Sequence, residues 1–96
     1  MSAIVTEAVD QLNAKMAGQD FDGTAKFVID GEGAVMIDDS GARAADEDSD
    51  VTLTSDAETF RAILNGEQNP TAAFMTGKLK VEGDMGKAMK LSALLG

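Results

Sequence analysis

Residues 50–95 read DVTLTSDAETFRAILNGEQNPTAAFMTGKLKVEGDMGKAMKLSALL. Two hydrophobic periods alternate along them. Val51-Thr52-Leu53-Thr54 alternates apolar with polar, the pattern of a strand with one buried face. Ser55 and Glu58 fit an S-x-x-E capping box, so a helix is expected behind them, with Phe60, Ile63 and Leu64 on one face and a stop at Gly66. Asn69-Pro70 predicts a second short helix, Asn as its cap and Pro in its first turn. Phe74 and Met75 lie on that helix, and Gly77 ends it. Residues 78–82 alternate lysine or glutamate with Leu79 and Val81 and predict another strand. Asp84 caps a last helix with a stripe of Met85, Ala88, Met89, Ser92 and Leu95, widened by Leu91 and Leu94.

The first half shows the same grammar. Over residues 2–17, Val5, Ala8, Val9, Leu12 and Met16 recur at helical spacing, with Ser2 as cap and Gly18 just past the end. Ala25, Phe27 and Ile29 then alternate with Lys26 and Val28, which predicts a strand. Asp30-Gly31 is a strong turn pair. A second strand is expected at 34–38, bearing Val35 and Ile37, and a third, edge-like strand of small residues at 42–45. The order is helix, four strands, two helices, strand, helix. Strands that cluster in this way favour an α+β fold.

Composition bounds the chemistry. The chain has 96 residues, 44% of them apolar, enough for one domain with a modest core. Cysteine and histidine are absent, so thiol and imidazole catalysis are excluded, as are disulfides and sites built on Cys or His ligands. The net charge of −9 argues against nucleic acid, which needs clustered Lys and Arg. Residues 30–58 hold ten acids against one base, Arg43, whereas from Lys78 onward four lysines face Glu82 and Asp84. MSAIVTEAVD has no basic n-region and no stretch reaches membrane-spanning length, so a soluble, cytoplasmic protein is expected.

Asp46, Asp48 and Asp50 have the spacing of the first ligands of an EF-hand loop, but Val51 stands where that loop needs Gly and Ala57 where it needs Glu. A solvated acidic connection is expected instead, and no metal or cofactor. The glycine pairs at 31/33 and 83/86 complete no phosphate-binding motif. Five internal methionines remain, two of them, Met85 and Met89, one helical turn apart. Methionine fills core gaps, and it also lines adaptable apolar pockets.

Residues 50–95 closely resemble the sterol carrier protein type 2-like (SCP-2) lipid-binding domain family. The resemblance rests on L-N-G-x-x-N-P-x-x-A-F at 64–74, G-K-L-K-V-x-G-D-M-G at 77–86 and A-M-K-L at 88–91. It implies a five-stranded, mostly antiparallel sheet covered on one face by helices, with an apolar tunnel between the two layers. It implies a non-catalytic carrier of a fatty acid, acyl chain or sterol-like lipid, for which transient membrane contact is compatible and monomer or homodimer is left open. The floor of such a cavity would be Phe27, Ile29, Val35, Ile37, Val51, Leu53, Leu79 and Val81. The roof would be Phe60, Ile63, Leu64, Phe74, Met75, Met85, Met89 and Leu95. The alternative is an interaction or accessory module with a filled cavity, docked on an enzyme or on a second copy of itself.

Overall fold

The alternation at Ala25–Ile29 sets the centre of the molecule. In the computed structural model, which describes residues 3–19 and 21–95, Ala25, Phe27 and Ile29 of strand β1 (Ala25–Ile29) are buried, and Lys26 and Val28 are half-buried on the other face. β2 (Gly33–Asp38) folds back antiparallel, with Phe27 opposite Val35. β3 (Gly41–Ala44) adds an antiparallel edge strand beyond β2, consistent with its small side chains. On its other side β1 pairs in parallel with β4 (Val51–Ser55), Phe27 opposite Leu53. β5 (Lys80–Gly83) closes the sheet antiparallel to β4. The order is β3-β2-β1-β4-β5, an α+β architecture whose one parallel pair makes the sheet mixed.

Helices cover one face. α1 (Ala3–Met16) buries Ile4, Val5, Ala8, Leu12 and Met16 and packs on β2 and β3. The expected cap, Ser2, lies outside the described residues. α2 (Ala57–Leu64) turns Phe60, Ile63 and Leu64 inward. The Phe60 ring meets that of Phe27 at 4.4 Å between centroids, tilted by 59°, a favoured aromatic geometry. α3 (Pro70–Met75) and α4 (Met85–Leu95) complete the layer, α4 lying against β1, β4 and β5.

The other face has no helix, yet Met36 on it is only 2% exposed. Topology accounts for this. Parallel strands need a crossover, and β3 runs parallel to β4 with β2 and β1 between them. The connection at 45–50 therefore passes over the sheet. Asp46 pairs with Lys26 at 2.9 Å and Ser49 Oγ lies 3.3 Å from Thr52 Oγ1, which puts the crossover on the face that Lys26 shares with Met36. The acidic run is thus a strap. Asp50 ends it: its N–H donates to the carbonyl and hydroxyl of Thr24, its carboxylate accepts from Thr24 N–H at 3.1 Å, and its carbonyl accepts from Asp84 N–H at 3.0 Å.

β3 lies one residue earlier than the expected 42–45, and two other boundaries differ from the sequence expectation for reasons visible in the hydrogen bonds. The α2 cap is Asp56, not Ser55: Asp56 Oδ1 accepts from Thr59 N–H at 2.7 Å. Ser55 is held in the β1–β4 ladder opposite Ile29 and is 3% exposed, so the strand retains it and the stronger carboxylate acceptor caps the helix. β5 begins at Lys80 rather than at 78, because the N–H groups of Lys78 and Leu79 both donate to Ala73 O and close the turn after α3. Leu79 still points inward and is 2% exposed.

Gly77 and Gly83 both adopt positive φ, +81° and +104°. A Cβ on Gly77 would meet open space, whereas one on Gly83 would lie 2.4 Å from the Asp50 carbonyl oxygen. Gly77→Ala is expected to cost about 1 kcal/mol from conformation alone. Gly83→Ala should cost clearly more, because the strap end must also move. Equal melting temperatures for the two variants would refute the close approach.

Among the described residues, three carboxylates have lowered pKa values. Arg43, then the Ser40 amide, hold Asp38 down; the amide and hydroxyl of Thr59 do so for Asp56, and the Lys87 amide for Asp84. A folded-state pKa below the unfolded one gives stability that is complete above the unfolded value, about 4, and is lost as pH falls through the folded value. Asp56→Asn keeps the cap but removes its titration. Its melting temperature should therefore drop less than the parent's between pH 7 and pH 3, in a comparison by calorimetry.

Candidate functional site

The second half of the chain builds an apolar groove between α3, β5 and α4. Asn69 Oδ1 accepts from Ala72 N–H at 3.1 Å and, with Pro70 in the first turn, starts α3 at a fixed place. Thr76 Oγ1 donates back to Ala72 O at 3.0 Å, and Gly77 reverses the chain. Val81 is half-buried on the inward side of β5, opposite Leu53. Asp84 Oδ1 then accepts from Lys87 N–H at 3.1 Å and fixes the start of α4.

α4 is apolar on two faces, and this creates the groove. Ala88, Leu91 and Leu95 point into the core. Met85, Met89 and Ser92 lie one face round, toward α3. The groove has a volume of about 260 Å³, lined by Pro70, Thr71, Phe74, Met75, Leu79, Val81, Met85, Ala88, Met89 and Ser92. Thr71 and Ser92 carry its only polar side chains, and none of the ten residues is ionisable. The large apolar side chains that stand exposed among the described residues are Phe74 at 43%, Met75 at 78%, Met85 at 46% and Met89 at 71%. All four line this groove.

A larger depression of about 590 Å³ lies beside α4, among Gln19, Phe21, Asp22, Asp39, Lys90, Ala93 and Leu94. Three of these seven are ionisable and Phe21 is 1% exposed, so it offers few apolar anchors.

Of the residues expected to enclose a ligand, the structure brings six to the groove: Phe74, Met75, Leu79, Val81, Met85 and Met89. It places Phe27, Ile29, Val35, Ile37, Val51, Leu53, Phe60, Ile63, Leu64 and Leu95 in one packed core, each at most 4% exposed. Phe27 and Phe60 meet within the layer between sheet and helices, and the groove opens at the β5 edge of that layer, between the sheet and α3 and α4. Pro70, Thr71, Ala88 and Ser92 complete the lining. Ala88 and Ser92 share the stripe of Met85 and Met89, and Pro70 stands one turn before Phe74, so helical spacing carried the signal.

The carboxylates with lowered pKa values, Asp38, Asp56 and Asp84, lie outside the groove. No helix among the described residues is long and apolar enough to cross a membrane.

Known proteins are similar to this chain in sequence and in fold. Hydroxysteroid dehydrogenase-like protein 2 of Xenopus tropicalis is 37% identical over 98 residues, covering 94% of this chain and 24% of that protein. The chain thus spans about a quarter of the length of this relative. The sterol carrier protein domain 2 of Helicoverpa armigera has the same fold, with a TM-score of 0.76 at 30% identity over 96% of this chain and 85% of that one. Sterol carrier protein 2 of Aedes aegypti, in its complex with palmitate, superposes with a TM-score of 0.79 at 19% identity, covering 100% and 97% of the two chains. The model of the SCP-2 sterol transfer family matches residues 4–96, and with the five-stranded sheet, the helical layer and the groove in place, the chain belongs to that family.

Proposed function

We propose that the chain is a non-catalytic lipid-binding domain that holds and hands over an apolar lipid, with the hydrocarbon in the α3–β5–α4 groove. One observation carries this reading: the large apolar side chains exposed among the described residues all converge on a single groove with no ionisable lining. A contiguous apolar patch on a small domain marks a binding surface. Family membership and a palmitate-bound neighbour of the same fold support it.

The groove also selects for shape. Its 260 Å³ is just under the roughly 300–1,000 Å³ usual for drug-sized ligands. A slender acyl chain fits such a space better than a whole sterol. Methionines at three of the lining positions let the walls follow different chains. Phe27, Phe60 and the other core residues that do not line the groove form the wall behind it.

Binding comes from burying methylenes, at about 0.8 kcal/mol each. Two extra methylenes should therefore tighten binding roughly tenfold until the groove is full. With nothing ionisable in the lining, the headgroup stays outside and goes unread. Palmitate and its methyl ester should accordingly stabilise the protein alike, and dodecanoate less. Thermal unfolding with each ligand measures this: a hundredfold excess over Kd adds about 2.7 kcal/mol, or about 10 °C or more for a domain of this size. A melting temperature unmoved by every chain length would sink the proposal.

Met89→Trp tests the groove itself. Met89 is 71% exposed, so the larger ring enters open space rather than a filled core, where overpacking costs about 1–3 kcal/mol. The variant should melt close to the parent and bind palmitate at least tenfold more weakly.

A further inference from the structure

We infer that Met75, Met85 and Met89 form a modification site: hydrogen peroxide oxidises their thioethers to sulfoxides and so lowers the groove's affinity for lipid while the fold stays intact. The inference rests on the groove being the lipid site and adds how its occupancy is regulated.

Accessibility singles these three out. Peroxides act on the sulfur of cysteine and methionine, and the chain has no cysteine. Of the five internal methionines, Met16 is 5% exposed in the buried stripe of α1 and Met36 is 2% exposed beneath the strap. Met75, Met85 and Met89 are 78%, 46% and 71% exposed, and all three line the groove. Met85 and Met89 stand one turn apart on α4, so their side chains are neighbours.

The step is a two-electron oxygen transfer. A lone pair of the methionine sulfur attacks one oxygen of hydrogen peroxide, the S–O bond forms and the O–O bond breaks. The proton on the transferred oxygen passes to the departing hydroxide, which leaves as water. Sulfur is oxidised and peroxide reduced. A thioether has no proton to lose, so the step asks no base of a groove that contains none.

The product changes the groove more than it changes the fold. A sulfoxide is polar, and burying a polar group without a hydrogen bond is unfavourable. Among the lining side chains, only those of Thr71 and Ser92 can donate to a sulfoxide oxygen. An acyl chain laid in the groove therefore strips water from three sulfoxides and offers two hydroxyls in exchange. Without lipid the same groups stay exposed to water, and none of the three belongs to the packed core. Oxidation thus lowers lipid affinity and leaves folding stability near the parent's. A bound chain also covers Met85 and Met89, so the filled groove resists the oxidant better than the empty one.

Treating the full chain with hydrogen peroxide and mapping its peptides by mass spectrometry tests the inference. Met75, Met85 and Met89 should oxidise at least roughly tenfold faster than Met16 and Met36, and saturating palmitate should slow Met85 and Met89. The oxidised protein should keep the parent's circular dichroism and bind palmitate at least tenfold more weakly, read from thermal unfolding. A methionine sulfoxide reductase with a dithiol, which carries the oxygen off as water, should restore binding. Met75→Leu/Met85→Leu/Met89→Leu removes the three sulfurs; whatever its own affinity for palmitate, peroxide should leave that affinity unchanged. An oxidised parent that palmitate stabilises as fully as the untreated one overturns the inference and leaves the groove standing. So does a loss of binding that the leucine variant shares, or one that comes with lost circular dichroism. An untreated parent that palmitate fails to stabilise removes the groove reading, and the inference with it.

Discussion

Everything in this molecule is referred to one strand. β1 is hydrogen-bonded on both sides, antiparallel to β2 and parallel to β4, with Phe27 between Val35 and Leu53. A slip of one residue in either ladder would turn Phe27 to the bare face and Lys26 into the core. The parallel join also dictates the strap over the back of the sheet, because β3 and β4 can share a direction only if the chain crosses between them. That crossing brings Asp50 to Thr24 and to the start of α4. The wall on which the groove is built is thus positioned by a pairing that lies outside the groove.

Much of this was legible in the residues. The Asn69 and Asp84 caps, the edge position of β3 and the inward faces of β1, β2 and β4 all follow from local chemistry. The misplaced cap at Ser55 and the late start of β5 share a cause. In each, a backbone hydrogen bond to a neighbouring element, the β1 ladder or Ala73 O, claimed a residue that side-chain pattern alone assigned elsewhere. The site was only partly legible. Periodicity reports that a position faces away from water in one element; it does not report whether the opposing element fills the space. Phe27 and Phe60, read as floor and roof, meet each other in the core. Met85 and Met89 read as the same stripe as Leu95, yet α4 is rotated so that Ala88, Leu91 and Leu95 enter the core and Leu94 packs against it.

That rotation divides one helix between the core and the groove. Leu91 and Leu95, 0% and 2% exposed, carry the packing. Met85 and Met89 carry exposed apolar area that the isolated chain leaves unsatisfied. A natural domain tolerates such area when a ligand or a surface covers it for part of its working cycle.

The β1–β4 register bears on how the chain folds. The β1–β2 hairpin closes through Asp30-Gly31 between near neighbours in sequence, an event of microseconds. Pairing β1 with β4 joins Ala25 to Val51, and that longer loop must be ordered before its contacts reward it. The part of the chain that holds the groove attaches only after β4 is in place, through β5 and α4 at the far edge of the sheet. On loop-closure grounds it is expected to assemble late and to open early. Amide exchange would rank its protection below that of β1.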